Sequence, residues 1–337
     1  RPTLAGQRAL LARKKGSLRE ENVCGANTCS AGAEACGTDA PLLYAEGSSP
    51  DAGSSYPQVD DAARNCADEA AHAAQKTKAV TFPRFCPEEL LAPRPPERVL
   101  LTGATGFLGA HLLRTLLRTD VGHVFCLTRD GDATRLERVL THYFGQDLAR
   151  ENAARFSVLR GSITDPHFGP EASRVSDTVD TILHAAADVR HFASDDTPVR
   201  TNVHGCREAV ALARASGARL CLISTFSVSG DFIEADPSRD AHFSEEDFYM
   251  GQNFRDNIYV RGKFLAEAEA HRAAYEGLPV QIFRVGRLVG RASDGMFQRD
   301  PFRNTFWQLI ICLHALGAIP ASAADLLVDM TPVDVCA

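Results

Sequence analysis

Short apolar runs alternate with amphipathic, helix-length segments along the chain from residue 98 onward. Short apolar runs bounded by turn residues are typical of buried strands, and apolar positions repeating every three to four residues are typical of helices. The pattern predicts strands at 99–101, 123–127, 156–159, 181–184, 220–224 and 280–284, and helices at 107–118, 134–143, 202–216 and 257–276. Strands alternating with helices predict an α/β protein with a doubly wound parallel sheet. Ligands of such folds bind at the carboxyl ends of the strands.

The residues before this alternation have a different composition. Residues 1–19 have a helical pattern that ends in a basic cluster, and residues 20–77 consist mainly of Ala, Gly, Ser, Asp and Cys. A segment with so few large aliphatic residues buries too little apolar surface to offset the entropy of ordering it. We therefore predict a helix at 1–19, a largely disordered linker at 20–95, a sheet domain at 96–290 and the start of a further subdomain at 291–337.

Charge and hydropathy exclude several classes of protein. The 337 residues carry a formal net charge of −7, without the basic stripe that a nucleic-acid binder normally has. The longest apolar candidate, 306–320, is interrupted by Gln308 and His314 and is too short to span a bilayer. The opening residues lack the layout of a signal peptide. We predict a cytoplasmic protein that binds neither nucleic acid nor membrane.

The cysteines are predicted to be free and to hold no metal. Most of them stand singly in apolar stretches, where a thiol behaves as a small hydrophobic group; examples are Cys126, Cys206, Cys221 and Cys312. The N-terminal set Cys24, Cys29 and Cys36 has spacings that do not fit the usual zinc-ligand patterns, and no His lies nearby.

A glycine-rich turn connects the first predicted strand of the sheet to its helix. In the segment 102–109, glycines stand at Gly103, Gly106 and Gly109, with Thr105, Phe107 and Leu108 between them. The first glycine permits a tight turn, the second lets backbone N–H groups approach a pyrophosphate, and the third lets the helix pack closely on the sheet. Because the triplet follows a strand and opens a helix, it predicts a dinucleotide-binding loop.

The end of the second strand indicates which dinucleotide binds. A protein that binds NAD usually places Asp or Glu there to hold the ribose 2′-hydroxyl. This chain has Arg129 at that position and Arg135 a few residues on, and a guanidinium pairs well with a 2′-phosphate. We predict NADPH as the cofactor; the alternative is that Arg129 is a surface residue and Asp130 binds the ribose.

A Tyr-x-x-x-Lys pair lies on the last predicted helix of the sheet domain. Tyr259 and Lys263 are four residues apart and share one helical face. An ammonium close to a phenol lowers the phenol pKa, which would suit proton transfer at neutral pH. Upstream, hydroxyl side chains at 224–227 follow the fifth strand, and one of them can share a substrate oxygen with Tyr259.

With these motifs, the sequence resembles the extended short-chain dehydrogenase/reductase superfamily. More closely, it resembles the terminal thioester reductase domains of nonribosomal peptide synthetases and their relatives, the carboxylic acid and aminoadipate reductases. The motifs that carry the resemblance are LTGATGFLG at 101–109, CLTR at 126–129, STFSV at 224–228, YVRGK at 259–263, FRVGRLVG at 283–290, DGMFQ at 294–298 and TPVD at 331–334. The resemblance covers about 96–337.

The resemblance implies roles for individual residues. Thr225 is the implied hydroxyl partner, Tyr259 the general acid, and Lys263 the group that holds the nicotinamide ribose and lowers the Tyr259 pKa. The complete predicted cofactor set is Gly103, Thr105, Gly106, Phe107, Leu108, Gly109, Arg129, Arg135, Ser162, Ile163, Ala185, Ala186, Tyr259, Lys263 and Val285. Residues 2–6 resemble the last helix of a carrier domain, which implies an acyl- or peptidyl-phosphopantetheine carrier as partner.

The sequence departs from the family pattern at several places. Ser162 stands where the superfamily often has an Asp that contacts adenine. Arg287 stands where many extended relatives have Asn, and we leave it out of the catalytic set. Asn202 opens a predicted helix and has an alternative interpretation as a helix cap. The chain ends three residues after the TPVD motif, so we expect a truncated substrate subdomain.

The implied reaction is reduction of a carrier-tethered acyl or peptidyl thioester by NADPH. Release as an aldehyde is expected, and a second hydride would give the alcohol. Two alternatives remain open from the sequence: an isomerase or lyase acting on a nucleotide sugar, which usually retains NAD, and a non-catalytic NADP(H)-sensing module.

Overall fold

We analysed a computed structural model of the chain, which describes the backbone of residues 80–81 and all of residues 95–232, 242–321 and 328–337. The predicted helix at 1–19, most of the predicted linker and the cysteines at 24, 29 and 36 lie outside the described residues. The strands are β1 Val80–Thr81, β2 Arg98–Thr102, β3 His123–Thr128, β4 Phe156–Arg160, β5 Thr181–His184, β6 Arg219–Thr225, β7 Asp247–Tyr249, β8 Val280–Val285, β9 Leu288–Val289 and β10 Thr331–Pro332.

Six of these strands form one parallel sheet in the order β4-β3-β2-β5-β6-β8. The chain runs outward from β2 to β4 and then returns to place β5 on the other side of β2. This order is the doubly wound arrangement of nucleotide-binding folds, whose ligand crevice opens where the strand order reverses. The prediction of a doubly wound parallel sheet is confirmed, and the crevice lies between the ends of β2 and β5.

The helices flank this sheet on both faces. They are α1 Phe107–Leu117, α2 Ala133–Phe144, α3 Gln146–Glu151, α4 Pro170–Val175, α5 Thr197–Ser216, α6 Ile258–Tyr275, α7 Thr305–Leu316 and α8 Val333–Cys336, with 3-10 turns at Pro166–Phe168, Ser176–Thr178, Phe226–Ser229 and Pro301–Arg303. On one face, Leu101 and Cys126 of the sheet pack against Leu113 of α1 and Leu136 of α2.

The opposite face is covered by α4, α5 and α6. Leu100 and Ile182 of the sheet pack against α4 and α5 in one cluster. In a second cluster, Cys206 of α5 and Ala266 of α6 enclose Leu222 of β6. Alternate residues of each strand therefore enter different cores, as the pleat of a strand requires. This packing fixes α6, which carries Tyr259 and Lys263, against the end of β6.

The start of α5 and the presence of β1 differ from the sequence-based prediction. Helix α5 begins at Thr197, five residues before the predicted start, with Pro198 in its first turn. Proline suits a first turn because its missing N–H has no intrahelical partner there. Asn202 therefore lies inside the helix, so its interpretation as a helix cap is wrong. Within the segment predicted to be a linker, β1 pairs antiparallel with β7.

The C-terminal part is tied back to the end of the sheet domain. Strands β9 and β10 pair in parallel. The Asp334 carboxylate of the TPVD motif accepts hydrogen bonds from the backbone N–H groups of Ala292 (2.7 Å) and Ser293 (3.3 Å). Arg291 donates to the carbonyl oxygen of Tyr143 at 2.8 Å, which ties this part to α2. None of the described helices has the length and hydropathy needed to cross a membrane.

The cysteines named above as free are confirmed as such. Cys126 and Cys221 are buried thiols of the sheet and Cys206 is a buried thiol of α5, whereas Cys312 is exposed on α7.

Candidate active site

The glycine turn between β2 and α1 leaves no room for a side chain at Gly103 or at Gly109. Gly103 has φ +80°, and a Cβ there would lie 2.8 Å from the backbone nitrogen of Ala186. A Cβ on Gly109 would lie 1.9 Å from the carbonyl oxygen of Gly103. The turn therefore brings the backbones of β2, α1 and the β5 end into direct contact. The lack of space excludes a side chain at both glycines. At Gly103 the positive φ is a second reason, because residues other than glycine rarely adopt it.

The N-terminus of α1 has no side-chain cap. Gly106 is the N-cap residue, and its own N–H donates to the carbonyl oxygen of Gly103 at 2.9 Å. The side chain of Phe107 packs edge-on against His111, with ring centroids 5.3 Å apart. The first-turn amides thus lack a side-chain acceptor, which is the arrangement that suits a bound anion.

A buried hydroxyl joins the two strand ends that border the crevice. The Thr102 hydroxyl accepts a hydrogen bond from the N–H of Ala186 at 3.0 Å and lies 3.0 Å from Nδ1 of His184. Burial lowers the pKa of His184 to about 3, with a smaller contribution from Lys263, so the ring is neutral at physiological pH. The predicted positions Ala185 and Ala186 are therefore held next to Gly103.

The predicted 2′-phosphate residues separate into two environments. Arg129 is exposed after β3. Arg135 instead donates to the Asp130 carboxylate at 2.8 Å. That hydrogen bond is the main reason why the pKa of Asp130 falls to about 2. Asp132 accepts from the N–H of Arg135 and caps α2. The structure thus pairs Arg135 with the acid that was the alternative ribose ligand.

The predicted positions on the two outermost strands, β4 and β8, lie at the carboxyl ends of these strands. The Ser162 hydroxyl is 2.8 Å from that of Thr164, and the Ile163 side chain packs against Gly205 of α5. Val285 ends β8 opposite Thr225. It also lines an apolar groove of about 520 Å³ between α1 and the sheet, together with Leu108. Among the predicted cofactor positions outside the glycine turn, Ala185 and Ala186 lie directly against Gly103.

The three predicted catalytic side chains do come together. Thr225 ends β6, where its hydroxyl accepts from the Ser227 N–H at 3.2 Å, and its side chain lies close enough to Tyr259 of α6 to influence the phenol. Lys263 lies one helical turn further on and donates from Nζ to the carbonyl oxygen of Ile223 at 2.8 Å. The N-cap of α6 is Asn257, whose side chain accepts from the Tyr259 N–H at 3.0 Å. The capped helix start thus places the phenol beside the strand end.

Burial dominates the electrostatics of this group. Lys263 is only 7% exposed, and burial lowers its pKa to about 8, an effect that Cys206 and Glu267 oppose. Burial raises the pKa of Tyr259, while the interaction with Thr225 opposes that rise. The direction is opposite to the one expected from the sequence, because desolvation is the largest influence on the phenol. Tyr259 consequently keeps its proton at neutral pH.

Sequence reasoning missed His191, which lies beside Tyr259, and misjudged the role of Asn202. The His191 ring packs on the Tyr259 ring with centroids 4.7 Å apart, and burial followed by the charge of Arg287 lowers the pKa of His191. Asn202 accepts from the Asp188 N–H at 2.7 Å and donates to the Asp188 carbonyl oxygen at 2.9 Å, which anchors the loop that carries His191. A signal was present: this loop leaves the carboxyl end of β5, where ligand-contacting residues concentrate.

The sequence comparison identifies the family. Residues 101–337 match the NAD-binding family described as Male sterility protein. The chain belongs to this family. A linear gramicidin synthase of Brevibacillus parabrevis is 31% identical over 246 residues, which are 71% of this chain and 5% of that protein. Glycine betaine reductase ATRR of Emericella nidulans is 31% identical over 258 residues, which are 70% of this chain and 19% of that protein.

Two solved structures of reductase domains are also similar to this chain. A thiolation-reductase di-domain from an archaeal non-ribosomal peptide synthetase is 36% identical with a TM-score of 0.63, over 70% of this chain and 64% of that one. The terminal R domain from the myxalamid PKS-NRPS pathway is 32% identical with a TM-score of 0.61, over 72% of this chain and 61% of that one. The resemblance to reductase domains of peptide synthetases is confirmed. The chain spans a small part of its curated relatives and less than two thirds of these two structures.

Proposed function

We propose that this chain is an NADPH-dependent reductase that releases a carrier-tethered acyl or peptidyl thioester as an aldehyde. The observation that carries the proposal is the convergence of Thr225, Tyr259 and Lys263 at the sheet edge that also bears the glycine turn. The family is an NAD-binding one, and the relatives reported above include reductase domains of peptide synthetases.

The residues of the glycine turn and the start of α1 fit a bound dinucleotide. The glycine turn is a cradle that a Cβ at Gly103 or Gly109 would fill, and the amides at the start of α1 have no side-chain acceptor. These groups would hold the pyrophosphate, and Lys263 would hold the nicotinamide ribose. When bound, the reduced nicotinamide supplies a hydride to the carbonyl carbon of the substrate.

The chain's own groups handle the oxygen of the thioester. Tyr259 is protonated at neutral pH because burial raises its pKa, so its O–H can donate a proton to the carbonyl oxygen as negative charge develops there. The side chain of Thr225 interacts with the same phenol, and its hydroxyl provides a second donor. The resulting hemithioacetal breaks its C–S bond, the carrier thiol leaves with a proton, and the aldehyde remains.

A carrier domain is the proposed partner. One of the matched structures is a thiolation-reductase di-domain, in which a carrier and a reductase occur together. A further match is described as aldehyde reductase lnaA of Aspergillus flavus, 29% identical over 232 residues, which supports proposing the second reduction to the alcohol.

The function can be tested with purified protein, NADPH and a series of acyl-pantetheine thioesters. We expect loss of NADPH absorbance together with release of free thiol and aldehyde in equal amounts. Tightly bound NAD that copurifies with the protein, without net turnover on any thioester, would instead favour a nucleotide-sugar isomerase. Cofactor binding with no turnover of either kind would favour a sensor.

Cofactor choice gives a separate prediction. Replacing Arg129 with Ala should weaken NADPH binding by roughly 10- to 100-fold, because a charge-assisted contact with the 2′-phosphate is lost. NADH binding should change little. The matched control is Arg138→Ala, which removes an exposed arginine of α2 that pairs with Asp132. Equal losses for NADPH and NADH in the Arg129→Ala protein, measured by fluorescence titration, would contradict NADPH selection by this residue.

A further inference from the structure

Helix α6 contacts the end of β6 through three side chains spaced four residues apart. The Tyr259 side chain interacts with that of Thr225, and Lys263 donates to the Ile223 carbonyl oxygen at 2.8 Å. Glu267, one turn further on, accepts a 2.5 Å hydrogen bond from the Ser224 hydroxyl. Consecutive residues of one strand are therefore held by consecutive turns of one helix, since a four-residue spacing keeps side chains on the same face.

Glu267 is a fully buried carboxylate whose two oxygens are both engaged. It is 0% exposed. Arg284 of β8 donates to Oε1 from Nε at 2.9 Å and from Nη2 at 2.5 Å, and Nε2 of His271 lies 3.4 Å away. Although burial raises the pKa of Glu267, the donors His271, Arg284 and Ser224 outweigh it and lower the pKa. The side chain therefore carries a negative charge inside the protein.

Arg284 extends this contact beyond the sheet. Its Nη1 donates to the carbonyl oxygen of Ser244 at 2.9 Å and its Nη2 to that of Asp247 at 2.7 Å. Its guanidinium carbon lies 5.2 Å from the ring centroid of Phe243. The Glu267–Arg284 pair thus connects α6, β6, β8 and the segment 243–247.

Glu267 also provides the negative charge in the surroundings of Lys263. The titratable groups that act on Lys263 come from β5, α5 and α6 itself. His184 of β5 is neutral above its pKa of about 3, and the Cys206 thiol of α5, with its pKa raised to about 12, is neutral as well. Within the described part of the chain, Glu267 is the group among these that is ionised at neutral pH.

We propose that Glu267 is a positioning residue of the active site. Through Ser224 it holds the strand end that carries Thr225, and its charge keeps the ammonium of the buried Lys263 protonated in the working enzyme. This inference rests on the proposed function, which it deepens by assigning a role to a residue that contacts neither cofactor nor substrate.

The first test compares Glu267→Gln with Glu269→Gln. Gln keeps the shape of the side chain but removes its charge. Without that charge the ammonium of Lys263 is less stable, so the alkaline limb of kcat/KM should move down by about one pH unit, a tenfold loss at any pH above the limb. Glu269 is also buried on α6 but pairs with Arg207 and Arg272, so its variant should leave the limb in place. An unmoved limb in Glu267→Gln, or equal shifts in both, would overturn the proposal.

A second variant covers the case in which Glu267→Gln does not fold. Ser224→Ala keeps the charge of Glu267 and removes only its contact with β6. We expect a lower kcat with an unchanged KM for NADPH and an unmoved pH limb. A kcat equal to that of the wild type would contradict the positioning role.

A third measurement does not need the reductase activity. Lys263 is the only lysine after Lys78 and is too buried for a chemical reagent. The titration of its ammonium can be followed by NMR of protein labelled with ¹³C at lysine Cε, with Lys263→Arg giving the assignment. The titration should move to lower pH in Glu267→Gln and stay in place in Glu269→Gln. If the wild type reduces no thioester but the Lys263 titration moves in Glu267→Gln, the proposed function alone is refuted. If the titration does not move, the role of Glu267 is refuted.

Discussion

Replacing Tyr259 with Phe is expected to lower kcat on a thioester substrate by about 10²- to 10⁴-fold, because the variant lacks the O–H that donates to the developing oxyanion. NADPH binding should persist, since the glycine turn and Lys263 are untouched. Single-turnover kinetics and a fluorescence titration of NADPH separate the two effects.

Tyr275→Phe is the matched control for this variant. Tyr275 ends the same helix but is 71% exposed, so loss of its hydroxyl should leave both kcat and cofactor affinity at wild-type values. If Tyr259→Phe retained its full rate, Tyr259 would not be the general acid, and Thr225 or a bound water would have to supply the proton.

Replacing Gly109 with Ala is expected to disrupt the cofactor turn. The new methyl group would lie 1.9 Å from the Gly103 carbonyl oxygen, a backbone atom that cannot move without opening the turn. Overpacking of this kind costs about 1–3 kcal/mol or more, which in a domain of this size lowers Tm by roughly 2–12 °C. NADPH should then no longer raise Tm, because the amides that would hold its pyrophosphate are displaced.

Gly277→Ala is the control that separates the steric clash at Gly109 from backbone strain alone. Gly277 has φ +93° and nothing within 4 Å of the place that a Cβ would take, so its replacement adds conformational strain of about 1 kcal/mol without a collision. This control should lose some Tm in thermal unfolding but keep the stabilisation by NADPH. A Gly109→Ala protein that is still stabilised by NADPH would show that the turn tolerates a side chain.

The strands of the sheet could be predicted from the sequence because each is a buried apolar run. Every predicted strand of the sheet lies within a residue or two of its observed bounds, since both faces are covered by helices. The start of α5 was missed because the polar residues before Asn202 give no amphipathic signal. Pro198 marks that start, but only when it is taken as a first-turn residue.

The catalytic motif could be predicted, but its electrostatics could not. The spacing of Tyr259 and Lys263 places them on one face of a helix, which is a local property of the chain. Whether desolvation or the ammonium controls the phenol depends on burial, which results from packing of the whole domain. Glu267 was missed for the same reason: an acidic residue on a helix usually faces solvent, and only the tertiary contacts with Ser224 and Arg284 give it a role.

Thr102 shows how the ligand crevice constrains the buried last residue of a strand. Valine has nearly the same shape and suits a buried parallel strand better. Its methyl group would nevertheless leave the half-buried Ala186 N–H without this acceptor and remove the hydrogen-bonding partner of Nδ1 of the buried His184. The hydroxyl at this position therefore couples two chain segments more than eighty residues apart. Selection for hydrophobicity alone would not retain it.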